Sequence, residues 1–360
     1  MNNGLSHRLY IANMGMITSI GHSTISTYFA VAAGISGYQR THHRSKNGES
    51  ITMALVPPAV FDEFESEIEE CNPYNAQFDH RIKMAIIAAQ ESCKDQPLTQ
   101  PVPLMLAMPE PECGPVMPHG LLTSNLAEHC APAISPELTR SFHSGRAAGI
   151  EAIAFAFRHL SGGPFILIGG SDSHIHTDQI KKLDEANRLL TIQSPDSFAA
   201  GEGACFLLLT SEPHLAMVKN DCMIALHPPG LAEETGHIYS DEPYRGDGLD
   251  QAFKKALASQ AEQSIDAIYS SMNGENFWAK EYGVAYLRNK SKFKDPVRME
   301  HPADCYGDLG SATAPALIAI AAENLWNKKS QQKHLIYSSS DTAKRGAIVI
   351  EKIPANIANT

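Results

Sequence analysis

With 360 residues, 43% of them hydrophobic and 19% charged, the chain has the make-up of an ordinary globular protein and is too long for one minimal core. A net charge of −11, relieved only by short KK and RSK clusters, argues against a nucleic-acid surface, which needs a basic stripe. Seven scattered cysteines, an odd number without paired spacing, point to a reducing compartment; with no leader-like segment and no long apolar run, a cytoplasmic protein without a membrane segment is expected.

In chain order, strands are predicted near residues 8–12, 103–108, 164–169 and 203–209, with helices near 23–33, 80–94 and 146–160 between them. After a polar loop at about 210–220 the pattern restarts. A strand near 222–226 precedes a helix near 249–263, a strand near 266–271 and a helix near 276–289. A helix near 312–326 and strands near 333–338 and 346–351 end the chain. Such alternation predicts parallel strands with helical crossovers, arranged as a doubled α/β unit whose halves show no visible sequence repeat.

The densest signal lies at 142–209, where FHSGRAAGIEAIAFAFRHL is followed by PFILIGGSDSH and then DSFAAGEGACFLLL. Ile150, Ile153, Ala154, Phe157 and Leu160 recur at three- and four-residue spacing, which gives one apolar helix face. A tight bend is expected at its start, around Arg146 to Gly149. Turns of this kind present one side chain beside free backbone N–H donors, so the residue at the tip decides which chemistry is available.

This block resembles the nucleophile helix, strand and Gly-Gly of the β-ketoacyl synthases, condensing enzymes of the thiolase superfamily. Ile11 to Gly21 is similar to the family's first strand and turn, Ala33 to Gly37 to the end of its first helix, and Gly201-Glu202-Gly203-Ala204 to the strand closing its first half. Ile265 to Gly274 and Pro302 to Ala314 stand in the places of its two histidine loops. The resemblance implies an α/β fold, the thiolase-like five-layer αβαβα sandwich of two pseudo-symmetric halves, here 1–215 and 216–360, and a homodimer.

On that alignment Gly149 matches the motif glycine, and Arg146 stands where the family keeps its cysteine. Asn273 and Asp308 stand where it keeps its two histidines; about Ala303 stands where it keeps a lysine. The family's C-terminal Gly-Phe-Gly-Gly turn is replaced by the run from Ser338 to Gly346. Condensation needs a thiolate to carry the acyl chain and neutral donors to stabilise the enolate. A guanidinium stays protonated and is no acyl carrier, and an aspartate repels an oxyanion. Arg146 at the positive end of a helix needs a partner, so an ion pair with Asp308, joined by a hydrogen bond from Asn273, is expected across the former active site. Gly149, Cys305 and Ser339 are the candidates for the substrate side. A slipped alignment instead puts Ser144 or His143 at the tip or leaves Arg146 as a surface residue; Asn273-Gly274 then reads as an ordinary turn and Asp308 as a helix cap.

The remaining signals favour structural roles. His174-Ile175-His176 beside Asp172 and Asp178 has a metal-like pattern, but no further Cys or His completes it, so capping and loop polarity are expected and no metal or cofactor. Cys71, Cys93, Cys113, Cys130, Cys205 and Cys222 read as packing or loop thiols, and the isolated histidines near 80, 119 and 129 carry no site. The Pro-rich stretch Pro101 to Pro118 reads as a loop that the resemblance places near the entrance, and Pro228 to Arg245 as a surface insertion suited to a partner. The resulting expectation is a non-catalytic accessory protein similar to ketoacyl-synthase-like proteins that accompany type VI secretion effectors. The partner is then a secretion effector or adaptor, or an acyl carrier protein. The alternatives are an active 3-oxoacyl synthase acting on acyl thioesters, or an acyl-chain binder.

Overall fold

The computed structural model describes residues 8–62, 78–114, 117–118, 120–130, 134–159, 163–330 and 332–356. Leu160, Cys71 and His119 lie outside the described residues, as do parts of the Pro-rich stretch.

The strands are β1 (Leu9–Thr18), β2 (Gln39–Arg44), β3 (Ser50–Ala54), β4 (Leu104–Ala107), β5 (Arg140–Phe142), β6 (Phe165–Ser173) and β7 (Ala200–Thr210). They continue with β8 (Cys222–Leu226), β9 (Gly230–Glu233), β10 (Ile265–Ser270), β11 (Phe293–Glu300), β12 (Lys333–Ser339) and β13 (Lys344–Pro354). Hydrogen bonding orders the main sheet β11-β10-β12-β13-β8-β1-β7-β6-β4-β5. Strands up to residue 210 thus lie on one side of the β8–β1 junction and later strands on the other. That junction is brief, pairing Leu9 with Leu226 and Tyr10 with Ala225.

The principal helices are α1 (Thr24–Ala32), α2 (Asp79–Cys93), α3 (Leu121–His129), α4 (Ala148–His159), α5 (Thr177–Glu185), α6 (Asp247–Ala256), α7 (Asn276–Arg288), α8 (Ala303–Tyr306) and α9 (Thr313–Trp326). Helix α2 covers the outer face of β1, β6 and β7, while α6 covers β9 and β13 and packs on α7. Between the two half-sheets lie α4 and α9, in contact with each other and with strands of both sides. Five layers result, helix, sheet, helix, sheet, helix. A central helix must be apolar nearly all round, and α9 is: all of its residues except Asn324 are buried. Strands β6 and β7, enclosed on both faces, are buried along their whole length, and their Phe165–Ile168 and Ala204–Leu209 parts read as apolar runs without alternation.

The sheet is mixed, which corrects the expectation of parallel strands. Parallel pairs are β4–β5, β4–β6, β10–β11 and β10–β12, with a short β3–β7 pair beside them. Strand β7 runs antiparallel to β1 and β6, and β13 antiparallel to β12 and β8. Strands β12 and β13 form a hairpin, and the chain returns from β6 to β7 without a full crossover. The helix expected over 249–263 ends at Ala256, and Gln263 takes a left-handed φ of 49° in the turn that follows.

Both central helices start alike. Gly145 (φ 55°) and Gly310 (φ 52°) each open one turn of 3-10 helix, Gly145–Ala147 and Gly310–Ala312. The tight bend therefore sits at Gly145, not at Arg146 to Gly149. Gly149 is helical and is small for a different reason: a Cβ there would lie 2.6 Å from Pro315 Cδ on α9. Gly149→Val is expected to cost about 1–3 kcal/mol by overpacking. A urea midpoint within error of the unmodified protein would show that the α4–α9 contact has slack.

Candidate functional site

The turn that opens α4 places Arg146 in the interior, where it is 5% exposed. A buried guanidinium is tolerable only when its N–H groups are satisfied and its charge is balanced. Its Nη1 donates to Asp308 Oδ2 at 2.6 Å, its Nη2 to Asp341 Oδ1 at 2.6 Å, and its Nε to the Ser339 carbonyl at 2.8 Å. The guanidinium carbon also lies 4.4 Å from the Trp278 ring centroid, a cation–π contact that covers one face of the fork.

Asp308 arrives on the loop between α8 and α9. Besides Arg146, its Oδ2 accepts from Asn273 Nδ2 at 2.8 Å, and its Oδ1 accepts from the Gly310 N–H at 2.8 Å and faces His174 Nε2 at 3.4 Å. Asp308 thus caps the turn that follows it while pairing with Arg146. Burial opposes its ionisation, but the Arg146 guanidinium, with His174 and Asn273, holds its carboxyl well below the usual carboxylate range.

A second arginine extends the cluster. Arg188, after α5, forms a two-bonded pair with Glu275, Nε to Oε1 at 2.7 Å and Nη2 to Oε2 at 2.8 Å. Its Nη1 donates to Asp341 Oδ2 at 2.6 Å and to the Tyr239 hydroxyl at 2.8 Å. Glu275 Oε2 also takes Asn273 Nδ2 at 3.2 Å and the Trp278 indole N–H at 3.0 Å. Asp341 therefore bridges the two guanidiniums; burial opposes its charge, yet Arg146 and Arg188 together hold its carboxyl far below the ordinary value.

The β12–β13 turn that carries Asp341 is fixed from behind by Glu110, whose carboxylate accepts the Asp341 N–H at 3.2 Å and the Thr342 N–H at 2.9 Å. In the same turn Ser340 Oγ accepts the Ala147 N–H at 3.1 Å and donates to the Ser144 carbonyl. The backbone donor of Ala147, just before α4, is thereby already used. Beneath the turn, Arg345 and Glu281, both essentially unexposed, pair at 2.5 Å, and Glu281 also accepts from Ser339 Oγ at 2.5 Å.

The structure thus brings Arg146, Asn273 and Asp308 into one hydrogen-bonded group and adds Ser339 through its carbonyl. It does not bring Gly149 or Cys305 there. Gly149 faces Pro315, and the backbone carbonyl of Cys305 on α8 is held by the Gly37 N–H at 2.7 Å, with burial raising its thiol pKa. Ser144 and His143 precede the turn, and Ser144 Oγ donates to Glu151 Oε2 at 2.6 Å beside a cavity of about 370 Å³ that Lys255 and Lys344 also line. Sequence reasoning missed Arg188, Trp278 and the bridging role of Asp341. A sign was present in Glu275, two residues after Asn273, because a second buried acid beside Asp308 requires a second cation. Of the His-x-His pair, His176 caps α5 and His174 lies against Asp308; among the described residues no group of three or more His, Cys, Asp or Glu side chains is placed to hold a metal. The segment read as a surface insertion contributes β9 to the sheet and Tyr239 to the cluster.

No family model and no curated protein matches the chain at a significant level. Solved structures do. A ketosynthase from module 6 of the bacillaene synthase of Bacillus subtilis 168 superposes with a TM-score of 0.73 at 11% identity, covering 96% of this chain and 72% of that one. The ishigamide ketosynthase/chain length factor gives 0.73 at 16% identity, covering 96% and 98%. A type II polyketide-synthase ketosynthase, solved in complex with its acyl-carrier protein, gives 0.73 at 15%, covering 96% and 99%. The fold is therefore the thiolase-like fold of the ketosynthases, and the layers described above are its five-layer sandwich. Among the described residues no helix is long and apolar enough to cross a membrane.

Proposed function

We propose that this protein is a ketosynthase-fold protein without a working Cys-His-His set, serving as a non-catalytic accessory or adaptor. The observation that carries this reading is the Arg146 guanidinium, held by two carboxylates at 2.6 Å at the turn where the resemblance places the acyl-carrying thiol. A charge so paired does not attack a thioester, and on the resemblance Asn273 and Asp308 stand where two imidazoles would be needed. On the same resemblance, residues 1–215 and 216–360 form the two halves of the sandwich and the chain dimerises. The partner class proposed is a secretion effector or its adaptor, by analogy with type VI secretion-associated relatives.

The test is intact-mass analysis after incubation with acetyl and octanoyl thioesters. No saturable adduct is expected. The Ser144 hydroxyl is engaged by Glu151, and burial together with Asp341 and Glu110 pushes the Cys113 thiol far above its ordinary pKa. A stoichiometric adduct that forms with saturation kinetics on Ser144, Cys113 or Cys305 would overturn the proposal in favour of an active acyltransferase.

A further inference from the structure

We infer that Arg146, Arg188 and Tyr239 form a carboxylate receptor that the chain fills with its own Asp341 side chain. The inference is independent of whether the protein acylates: the adduct assay tests that reading, and the experiment below tests this one.

The geometry is that of a bound ligand rather than a simple pair. Asp341 Oδ1 receives Arg146 Nη2 at 2.6 Å and Arg188 Nη2 at 3.1 Å, while Oδ2 receives Arg188 Nη1 at 2.6 Å and the Tyr239 hydroxyl lies 3.2 Å away. Both oxygens of one planar carboxylate are thus met by donors from three separate parts of the chain. Each guanidinium is anchored independently on its inner side, Arg146 by Asp308 and the Ser339 carbonyl, Arg188 by Glu275. Both arginines therefore have anchors that do not involve Asp341. Their outward N–H groups converge on a spot that remains partly open, since the Asp341 side chain keeps 12% exposure and Tyr239 is 43% exposed.

Charge sets the size and strength of what fits. The inner acids Asp308 and Glu275 already balance the two arginines in number, so an added anion gains mainly from hydrogen bonds to the N–H groups that Asp341 otherwise occupies. The ligand class is a small planar monocarboxylate, the group that guanidinium forks match best.

Removing the internal ligand tests this. Asp341→Ala is expected to melt several degrees below the unmodified protein, and roughly 50 mM formate or acetate is expected to restore at least half of that loss through binding to the folded state. Chloride at the same ionic strength and neutral acetamide should restore little. Asp341→Asn, which keeps the site filled, should gain no more from formate than from chloride. Calorimetric titration of formate should give saturable heat with Asp341→Ala and none with the unmodified protein. Equal responses of natively folded Asp341→Ala to formate and chloride would overturn the inference, as would a formate response of Asp341→Asn equal to that of Asp341→Ala. Should Asp341→Ala fail to fold, Asp341→Ser, which also removes the carboxylate, is held to the same two criteria.

Discussion

Arg146→Met is expected to destabilise the protein by about 3–5 kcal/mol, the loss typical when one member of a buried ion pair is removed and its partner is left charged. Asp308 is 2% exposed and would keep Asn273, His174 and the Gly310 N–H but would lose the guanidinium that balances its charge. Asp341 would still hold Arg188. Chemical denaturation reads the loss directly, with the midpoint falling at unchanged slope. Arg146→Met combined with Asp308→Asn should recover at least half of it, because the orphaned charge is gone while the amide keeps the volume. Arg146→Lys should fall between, since one ammonium cannot reach Asp308, Asp341 and the Ser339 carbonyl together. A single methionine variant within about 1 kcal/mol of the unmodified protein would mean that the cluster is not what holds the turns together.

The second large effect lies away from that cluster and depends on pH. His334 on β12 is fully buried, packs against Tyr269 with ring centroids 5.3 Å apart, and neither of its ring nitrogens makes a hydrogen bond of normal geometry. Burial, reinforced by Arg298 and Lys328, lowers its pKa from 6.5 to about 3. The unfolded chain therefore takes up this proton first as the pH falls. No penalty exists above the unfolded value of 6.5, and below it stability declines by about 1.4 kcal/mol per pH unit until the folded value is reached. Between pH 7 and 5 this residue alone should cost about 2 kcal/mol. His334→Phe keeps a ring of similar size against Tyr269 and should flatten the profile over that interval. His80 contributes with the opposite sign: its hydrogen bond to Glu202 raises its pKa, so its contribution is present below the unfolded value and fades as the pH rises. Comparing variant and unmodified protein at each pH isolates His334. Parallel stability curves for the two proteins would show that the ring is solvated or paired in solution.

Much of the fold was legible because its elements follow local rules. The apolar face of Ile150, Ile153 and Phe157 marked α4, and the runs near 164–169, 203–209 and 312–326 marked β6, β7 and α9. Strand direction was not legible, since β6 to β7 and β12 to β13 turn back through segments whose sequence does not state which neighbour they will meet. The sheet-edge elements β2, β3, β5, β9 and β11 were missed because they are short or lack alternation. At the cluster, pairing of Arg146 with Asp308 followed from the cost of an isolated buried charge. Its continuation to Arg188 and Asp341 did not, because it depends on three turns meeting in space, and no spacing rule connects positions 188, 275 and 341.

The position of Trp278 gives the molecule an optical gauge of its own interior. Indole emission shifts with the polarity around the ring, and this ring is 2% exposed, with guanidinium carbons at 4.4 Å (Arg146) and 5.7 Å (Arg345). The chain's other tryptophan, Trp326, closes the opposite end of α9, roughly 20 Å along the helix axis from its start, beneath Lys219. Ultraviolet fluorescence of the unlabelled protein therefore divides into a steady background and a component that reddens when water reaches the arginines, so loosening of the centre can be followed in real time without attaching a probe.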